Sequence, residues 1–258
     1  MEKKVILDSV KKLKEISQKR KFPQTLDLQI NIQKIDLKNP ENKIDLFLQL
    51  PHSKGKVPKI CALVGKELAT KAKIFDKVIT KDEFPAYTKD KKLLKKLARD
   101  YDYFIAQANL MAEIGKDFGK ALAPIGKMPN PKAGCIVPPV AELEPLKAKL
   151  QNTIHVKTKD QPSIKAIAGS ETMSDEEITD NIEKIYSAVV HEVPNEKINI
   201  KSAIIKFTMS KPVQMTEKGP VVEEKKVPKV EPKKKPKKEK PKEKAPKVKE
   251  KEEVKDES

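Results

Sequence analysis

From Thr25 to Gln33 the chain alternates without a break between polar and aliphatic residues: Leu26, Leu28, Ile30 and Ile32 are separated by Asp27, Gln29 and Asn31. Successive strand side chains point to opposite faces, so this run predicts a strand with one face in a core and one in water. A helix would instead repeat its apolar positions every three to four residues. Beyond the turn Asn39-Pro40-Glu41-Asn42, the residues Ile44, Leu46, Leu48 and Leu50 alternate again. Two such runs joined by a short polar connection predict an antiparallel pair.

The texture on either side of these runs differs. Val5, Ile6, Val10, Leu13 and Ile16 recur at helical spacing among lysines, which predicts a helix packing one stripe on a sheet. After Gly55-Lys56, the unbroken apolar run Ile60-Cys61-Ala62-Leu63-Val64 reads as a strand covered on both faces. A helix over 67–74, a strand over 77–80, a Lys/Leu helix over 90–99, a strand over 103–106 and a helix over 110–122 continue the alternation. That order predicts a small sheet layered by helices and at least partly parallel. A Pro/Gly-rich stretch over 124–139 closes this block, and a helix over 142–150 follows. Two-faced strands return near Ile154 and Ile164. Ser174 and Glu177 form a capping box opening a helix with Ile178, Ile182, Ile185, Val189 and Val190 on one side, and a last strand runs over 198–209. Two-faced strands on both sides of a blocky α/β middle fit an inserted domain, and two sequential domains would be the simpler alternative.

The chain carries 55 basic and 38 acidic residues, a net charge of +17, with only 4% aromatics, so any core is aliphatic and a polyanionic partner is expected. The Lys/Glu/Pro segment from Val221 onward holds 15 Lys against 10 acids; the remaining 40 and 28 leave +12 on the rest of the chain. The basic character therefore belongs to the folding part as well as to the tail, whose composition predicts disorder. Cys61 and Cys135 are far apart and suggest free thiols in a reducing compartment. No apolar run approaches the roughly 20 residues that span a bilayer, and Met1-Glu2-Lys3-Lys4 does not open a signal peptide, so a cytoplasmic protein without a membrane partner is expected.

Catalytic templates fail. The stretch from Gly119 to Lys127 resembles a phosphate-cradling loop, but six residues separate Gly119 from Gly126 and Met128 stands where Ser or Thr is required. His52, His155 and His191 are scattered, and no Cys/His cluster has zinc spacing. Neither an enzyme, a metal nor a cofactor is expected.

Lys19-Arg20-Lys21-Phe22 can hold phosphates while Phe22 rests on a ribose or base; read otherwise, it is a solvated helix end with Phe22 in the core. Phe207-Thr208-Met209-Ser210-Lys211-Pro212 and Lys157-Thr158-Lys159-Asp160 offer hydroxyls and turn backbone to RNA, or are ordinary strand exits. In the loop from Gly126 to Gly134, Pro129 and Pro131 fix φ while the terminal glycines permit positive φ, which predicts a rigid shape.

That loop, Gly126-Lys127-Met128-Pro129-Asn130-Pro131, resembles the signature of the ribosomal protein L one family. Lys21-Phe22-Pro23-Gln24-Thr25, the stretch from Leu50 to Lys56, and Ser202 through Met209 fit the same family in the same order, over about Met1 to Val213; the segment from Asp36 to Lys56 looks archaeal-type. The resemblance implies an α/β protein in two parts. Domain I would be α+β with an antiparallel sheet, discontinuous over 1–57 and 151–219; domain II would be an inserted Rossmann-like unit over 58–150; the tail would be 220–258. It implies a constituent of the large ribosomal subunit that binds large-subunit rRNA to form the mobile stalk, assists release of exit-site tRNA and represses its own mRNA, and that is a monomer off the ribosome. A nonspecific nucleic-acid chaperone or chromatin-type protein is the alternative. The residues expected to face RNA are Lys21, from its basic cluster, and by resemblance Phe22, Thr25, Asp160, Ser202, Thr208, Met209 and Ser210. Ser210 departs from the family's glycine after Thr-Met, which predicts a weakened or shifted backbone contact; Ala123-Pro124-Ile125 stands where the family has Gly-Pro-Arg.

Overall fold

A computed structural model describes residues 2–35, 39, 42–139, 142–158, 161–194, 196–216 and 219–222. Helix α1 (Lys3–Ile16) leads into strand β1 (Thr25–Ile32), whose Leu26, Leu28, Ile30 and Ile32 are all buried, as the alternation requires. The chain then forms β2 (Asp45–Gln49), β3 (Ile60–Val64), α2 (Lys66–Ala69), β4 (Lys77–Thr80), α3 (Phe84–Lys89), α4 (Lys91–Asp100) and β5 (Tyr103–Gln107). Next come α5 (Met111–Asp117), α6 (Gly119–Leu122), β6 (Ile136–Val137), α7 (Glu144–Asn152), β7 (Thr153–Lys157) and β8 (Ser163–Ser170). Helix α8 (Asp175–Glu192) precedes β9 (Ile200–Phe207), β10 (Val213–Thr216) and β11 (Gly219–Val222).

Five strands form one antiparallel sheet in the order β11-β10-β9-β1-β8. Its apolar face meets α1 through Ile6, Val10 and Leu13 and α8 through Ile178, Ile182, Ile185 and Val189. The capping box is present: Ser174 Oγ accepts from the Glu177 N–H at 3.3 Å and Glu177 Oε2 accepts from the Ser174 N–H at 3.1 Å. Lys3–Asp180 at 2.6 Å and Lys14–Asp175 at 2.5 Å tie the two helices at the rim. This core takes its residues from before His52 and after Thr153.

The expected pairing of the first two alternating runs is wrong. Strand β2 pairs antiparallel with β7, from Asp45↔Lys157 to Gln49↔Thr153, because β8 and β9 already occupy both edges of β1. Alternation identifies a wet face but says nothing about which strand lies alongside.

The middle of the chain forms a parallel sheet in the order β4-β3-β5-β6. All five residues of β3 are buried. Cys61 and Leu63 face a core with Phe84, Leu94, Leu97, Phe104 and Phe118, while Ile60, Ala62 and Val64 face one with Leu68, Phe75, Ile105 and Leu150. The architecture is thus α/β, with a five-stranded and a two-stranded antiparallel sheet and a four-stranded parallel one. Both thiols are free and buried, which pushes Cys61 up to about 12 and Cys135 up to about 11.

Several bounds differ from the sequence reading. The helix expected over 110–122 breaks at Phe118 into α5 and α6, and that over 67–74 into α2 and a 3-10 turn. Strand β11 extends the antiparallel sheet to Val222, past the expected start of the tail; Lys12 Nζ donates to the Pro220 carbonyl at 3.0 Å and holds it on α1. The rest of the expected tail lies outside the described residues.

Between β2 and β3, Gly55 has φ +85, and a Cβ there would fall 2.4 Å from Ser170 Cβ. Gly115, inside α5, has open space around it. Gly55→Ala should lower the unfolding free energy by about 1–3 kcal/mol, and Gly115→Ala should raise it by about 0.5–1 kcal/mol. Urea titration of both variants checks the pair; an unchanged midpoint for Gly55→Ala would show that the junction relaxes freely.

Candidate nucleic-acid interface

The outer face of the antiparallel sheet follows from the register. Thr25, Asp27, Gln29 and Asn31 of β1 lie beside Lys206, Ile204 and Ser202 of β9 and beside Lys165 and Ile167 of β8. None of these side chains is buried, whereas Leu26, Leu28, Ile30 and Ile32 of β1 and Ala203, Ile205 and Phe207 of β9 are. The hydrogen-bonded sheet fixes the backbone under this polar face, and side-chain bonds fix Thr25 and link Gln29, Asn31 and Ser202.

At one end of the face the two outer ends of the chain meet. Thr25 Oγ1 and Thr208 Oγ1 are 3.0 Å apart, the Thr208 N–H donates to the Thr25 carbonyl at 3.2 Å, and the Thr25 N–H donates to Thr208 Oγ1 at 3.3 Å. Gln24 sits behind them, 1% exposed. Its Oε1 accepts from the Met209 N–H at 3.1 Å, and its Nε2 donates to Ser17 Oγ and to the Gln18 carbonyl, each at 3.2 Å. Its carbonyl accepts from the Glu171 N–H at 2.8 Å. One side chain and its own backbone thus join the end of α1, the start of β1, the exit of β8 and the turn after β9. Phe22 and Met209 remain 47% and 59% exposed at this corner, so the core reading of Phe22 does not hold. Lys19, Arg20 and Lys21 are exposed beside them.

Ser210 does not open the turn. Its Oγ accepts from the Phe207 N–H at 2.9 Å, its N–H donates to the Phe207 carbonyl at 3.2 Å, and it avoids the positive φ that would demand glycine. The side chain closes the turn locally in place of a backbone that needs glycine's freedom.

The structure brings Lys21, Phe22, Thr25, Thr208, Met209 and Ser210 to one end of the sheet. Ser202 stands six positions before Thr208, roughly 20 Å along the strand. There its Oγ accepts from Asn31 Nδ2 at 2.9 Å, and Asn31 Oδ1 accepts from Gln29 Nε2 at 2.9 Å. Asp160 lies outside the described residues. The sequence reading missed Gln24, Gln29, Asn31, Lys165 and Lys206. The last four occupy alternate positions that mark the wet face, and Gln24 is a polar residue continuing the buried even-numbered stripe of β1.

The Gly126–Gly134 loop faces the same surface across a cleft of about 440 Å³, lined by Thr25, Lys165 and Ile167 on one side and by Gly126, Lys127, Met128 and Asn130 on the other. Gly126 and Gly134 have φ +77 and +72, as expected. Lys127 Nζ is spent on the Tyr101 carbonyl at 2.7 Å, and Asn130 Oδ1 accepts from the Lys132 N–H at 2.9 Å. The loop is shaped from within. At the base of the cleft the Thr153 carbonyl accepts from Tyr103 Oη at 2.7 Å and from Lys54 Nζ at 3.0 Å; desolvation there lowers the Lys54 pKa against the pull of Asp102.

Two of the three histidines are taken up in local contacts, and His191 is exposed. His155 lies 2.6 Å from Asp45 and stacks on Phe47, and His52 lies 3.3 Å from Asp180. Among the described residues no group of His, Cys, Asp or Glu could hold a metal ion, and no helix is long and apolar enough to cross a membrane.

A family model described as the ribosomal protein L1p/L10e family matches residues 12–211. The chain is 40% identical over 216 residues to a protein of Methanothermococcus thermolithotrophicus named large ribosomal subunit protein uL1, covering 83% of this chain and 99% of that one. A protein of the same name from Methanothermobacter thermautotrophicus is 39% identical over 212 residues, 81% of this chain and 98% of the relative. Another from Methanocaldococcus jannaschii is 37% identical over 216 residues, covering 83% and 96%.

Two outcomes follow from this geometry. Gln24→Leu deprives the part-buried Met209 N–H of its acceptor and should cost about 0.5–1.5 kcal/mol. Faster exchange of that amide by NMR, with a lower urea midpoint, is expected; unchanged exchange would mean that Gln24 does not hold the turn. Asp27, directly across from Lys206, has its pKa raised from 3.8 by desolvation, against the pull of Lys206 and Lys165. The folded state then holds this proton more tightly than the unfolded chain, so its contribution is fully present below 3.8 and is lost as pH rises through the folded value. Asp27→Asn should therefore be more stable than the parent near neutral pH, with the gap closing as pH falls through the raised folded value and gone below 3.8; urea midpoints across pH measure it.

Proposed function

The chain belongs to the ribosomal protein L1p/L10e family and is a ribosomal protein of the large subunit, not an enzyme; on that premise we propose that its antiparallel sheet binds large-subunit rRNA and anchors a mobile stalk. As part of the ribosome it is cytoplasmic. The observation that carries the reading is the Thr25–Thr208 corner, a hydrogen-bonded junction flanked by exposed Lys19, Arg20 and Lys21 and presenting Phe22 and Met209 to solvent. Fixed hydroxyls suit 2′-hydroxyl and phosphate oxygens, the cations neutralise phosphate, and the two exposed apolar side chains can lie against ribose or an unstacked base. Ser202 with Asn31 and Gln29 extends the contact along the sheet, and Asp160 is proposed as a further contact.

The segments 1–57 and 151–219 would act as one discontinuous RNA-binding domain, with 58–150 as an inserted domain carried at the outer end of the stalk. Movement of that inserted part would accompany release of exit-site tRNA. The same corner would bind a similar fold in the protein's own mRNA and repress its translation, and the protein would be monomeric off the ribosome. A preshaped corner favours this reading over a nonspecific chaperone, whose binding would rest on counterion release alone.

Thr208→Val and Met209→Ala should each weaken binding to the cognate rRNA stem-loop by about tenfold, the scale of one lost polar or apolar contact, while far-UV circular dichroism stays unchanged. Affinity for a scrambled RNA at moderate salt should change little. Unchanged stem-loop affinity in both variants would remove the turn from the interface; equal losses on both RNAs would favour the nonspecific reading.

A further inference from the structure

Helix α4 has a surface with no role in the reading above. Lys91, Lys92, Lys95, Lys96 and Arg99 are all exposed, while Leu94, Leu97 and Ala98 anchor the helix in the core of the parallel sheet. Among the described residues no ion pair and no side-chain hydrogen bond engages any of the five cations. The arrangement is electrostatically unfavourable for the helix itself. Lys91 and Lys95, Lys92 and Lys96, and Lys95 and Arg99 are like charges at i,i+4, where repulsion destabilises. Lys91 and Lys92 occupy the first turn, which contains no acid beyond the capping carboxylate of Asp90, at the end where the helix dipole favours anions. Helix α8 shows the opposite design, with Asp175, Glu176 and Glu177 in its first turn. Only Arg99, in the last turn, and Lys96, four residues before Asp100, are placed to favour the helix; the other three lysines add repulsion that an external polyanion would relieve.

Its chemistry narrows the partner. The apolar stripe of α4 is turned inward and only Leu93 is exposed among the lysines, so there is no apolar face to enter a lipid interface. The helix carries no aromatic residue on which unstacked bases could rest, which single-stranded RNA would use. A convex row of point charges matches the outward phosphates of a double helix. We infer that the exposed face of α4 is a second RNA-binding surface, independent of the Thr25–Thr208 corner, that takes the phosphate backbone of duplex RNA without regard to sequence.

The test uses the full chain carrying K91Q/K92Q/K95Q/K96Q and a plain RNA duplex of arbitrary sequence, with binding followed by fluorescence anisotropy across a salt series. Duplex affinity at about 0.1 M salt should fall at least roughly tenfold, and the slope of log K against log salt should flatten by about 3 units. The thermal midpoint should hold or rise, because the substitutions remove repulsion. Thr208→Val should leave duplex binding as it was, and the quadruple variant should still prefer the cognate stem-loop over its scrambled form. Unchanged duplex affinity and slope would overturn the inference. So would a lowered thermal midpoint, which would give the lysines to the fold. Loss of binding to phosphatidylserine vesicles with duplex binding intact would assign the face to a lipid surface instead.

Discussion

Strand β1 is hydrogen-bonded along both edges, to β8 from Thr25↔Ser170 and to β9 from Leu26↔Phe207. Nearly everything else about the large sheet follows from that. With both edges taken, β1 cannot pair with the run that follows it, so β2 turns to β7. With Leu26, Leu28, Ile30 and Ile32 committed to the core, the register leaves one set of side chains for water, and a slip of one residue would exchange the two faces. The outer face is therefore specified by the inner one. Polar groups on it stand where the packing of aliphatic residues puts them.

Alternation made the faces of β1 readable, and the unbroken run at Ile60–Val64 made a doubly covered sheet readable, because both patterns report burial directly. Partners were not readable, because burial on one face is indifferent to which strand lies alongside. Strands β10 and β11 escaped notice for a different reason: each has four residues and abuts a Lys/Glu/Pro segment whose composition dominates any local pattern. Of the interface, the turn after β9 and the basic cluster before β1 were legible as chemistry, and Asn31 and Gln29 only as wet positions. Gln24 was legible as part of a family motif but not for its role. A buried glutamine bridging four segments can be recognised only when all of them have been placed.

The two basic surfaces of the protein differ in kind. At the corner, cations frame fixed hydroxyls and exposed apolar side chains, and Asp27 lies opposite Lys206, so attraction is tempered and geometry decides what fits. On α4 there is charge with almost nothing to set orientation. A molecule that grips one folded RNA firmly and touches another loosely would need this division. The first contact has to last, and the second has to be released whenever the partner moves on.

The two threonines of the corner are 183 residues apart in sequence. During synthesis at about 5–20 residues per second, β1 is made roughly 10–40 s before the residue that completes the junction. Until then its β9 edge has no partner, and the surface that would meet RNA does not yet exist. The corner proposed to meet RNA is thus missing from the nascent chain until Thr208 has been made.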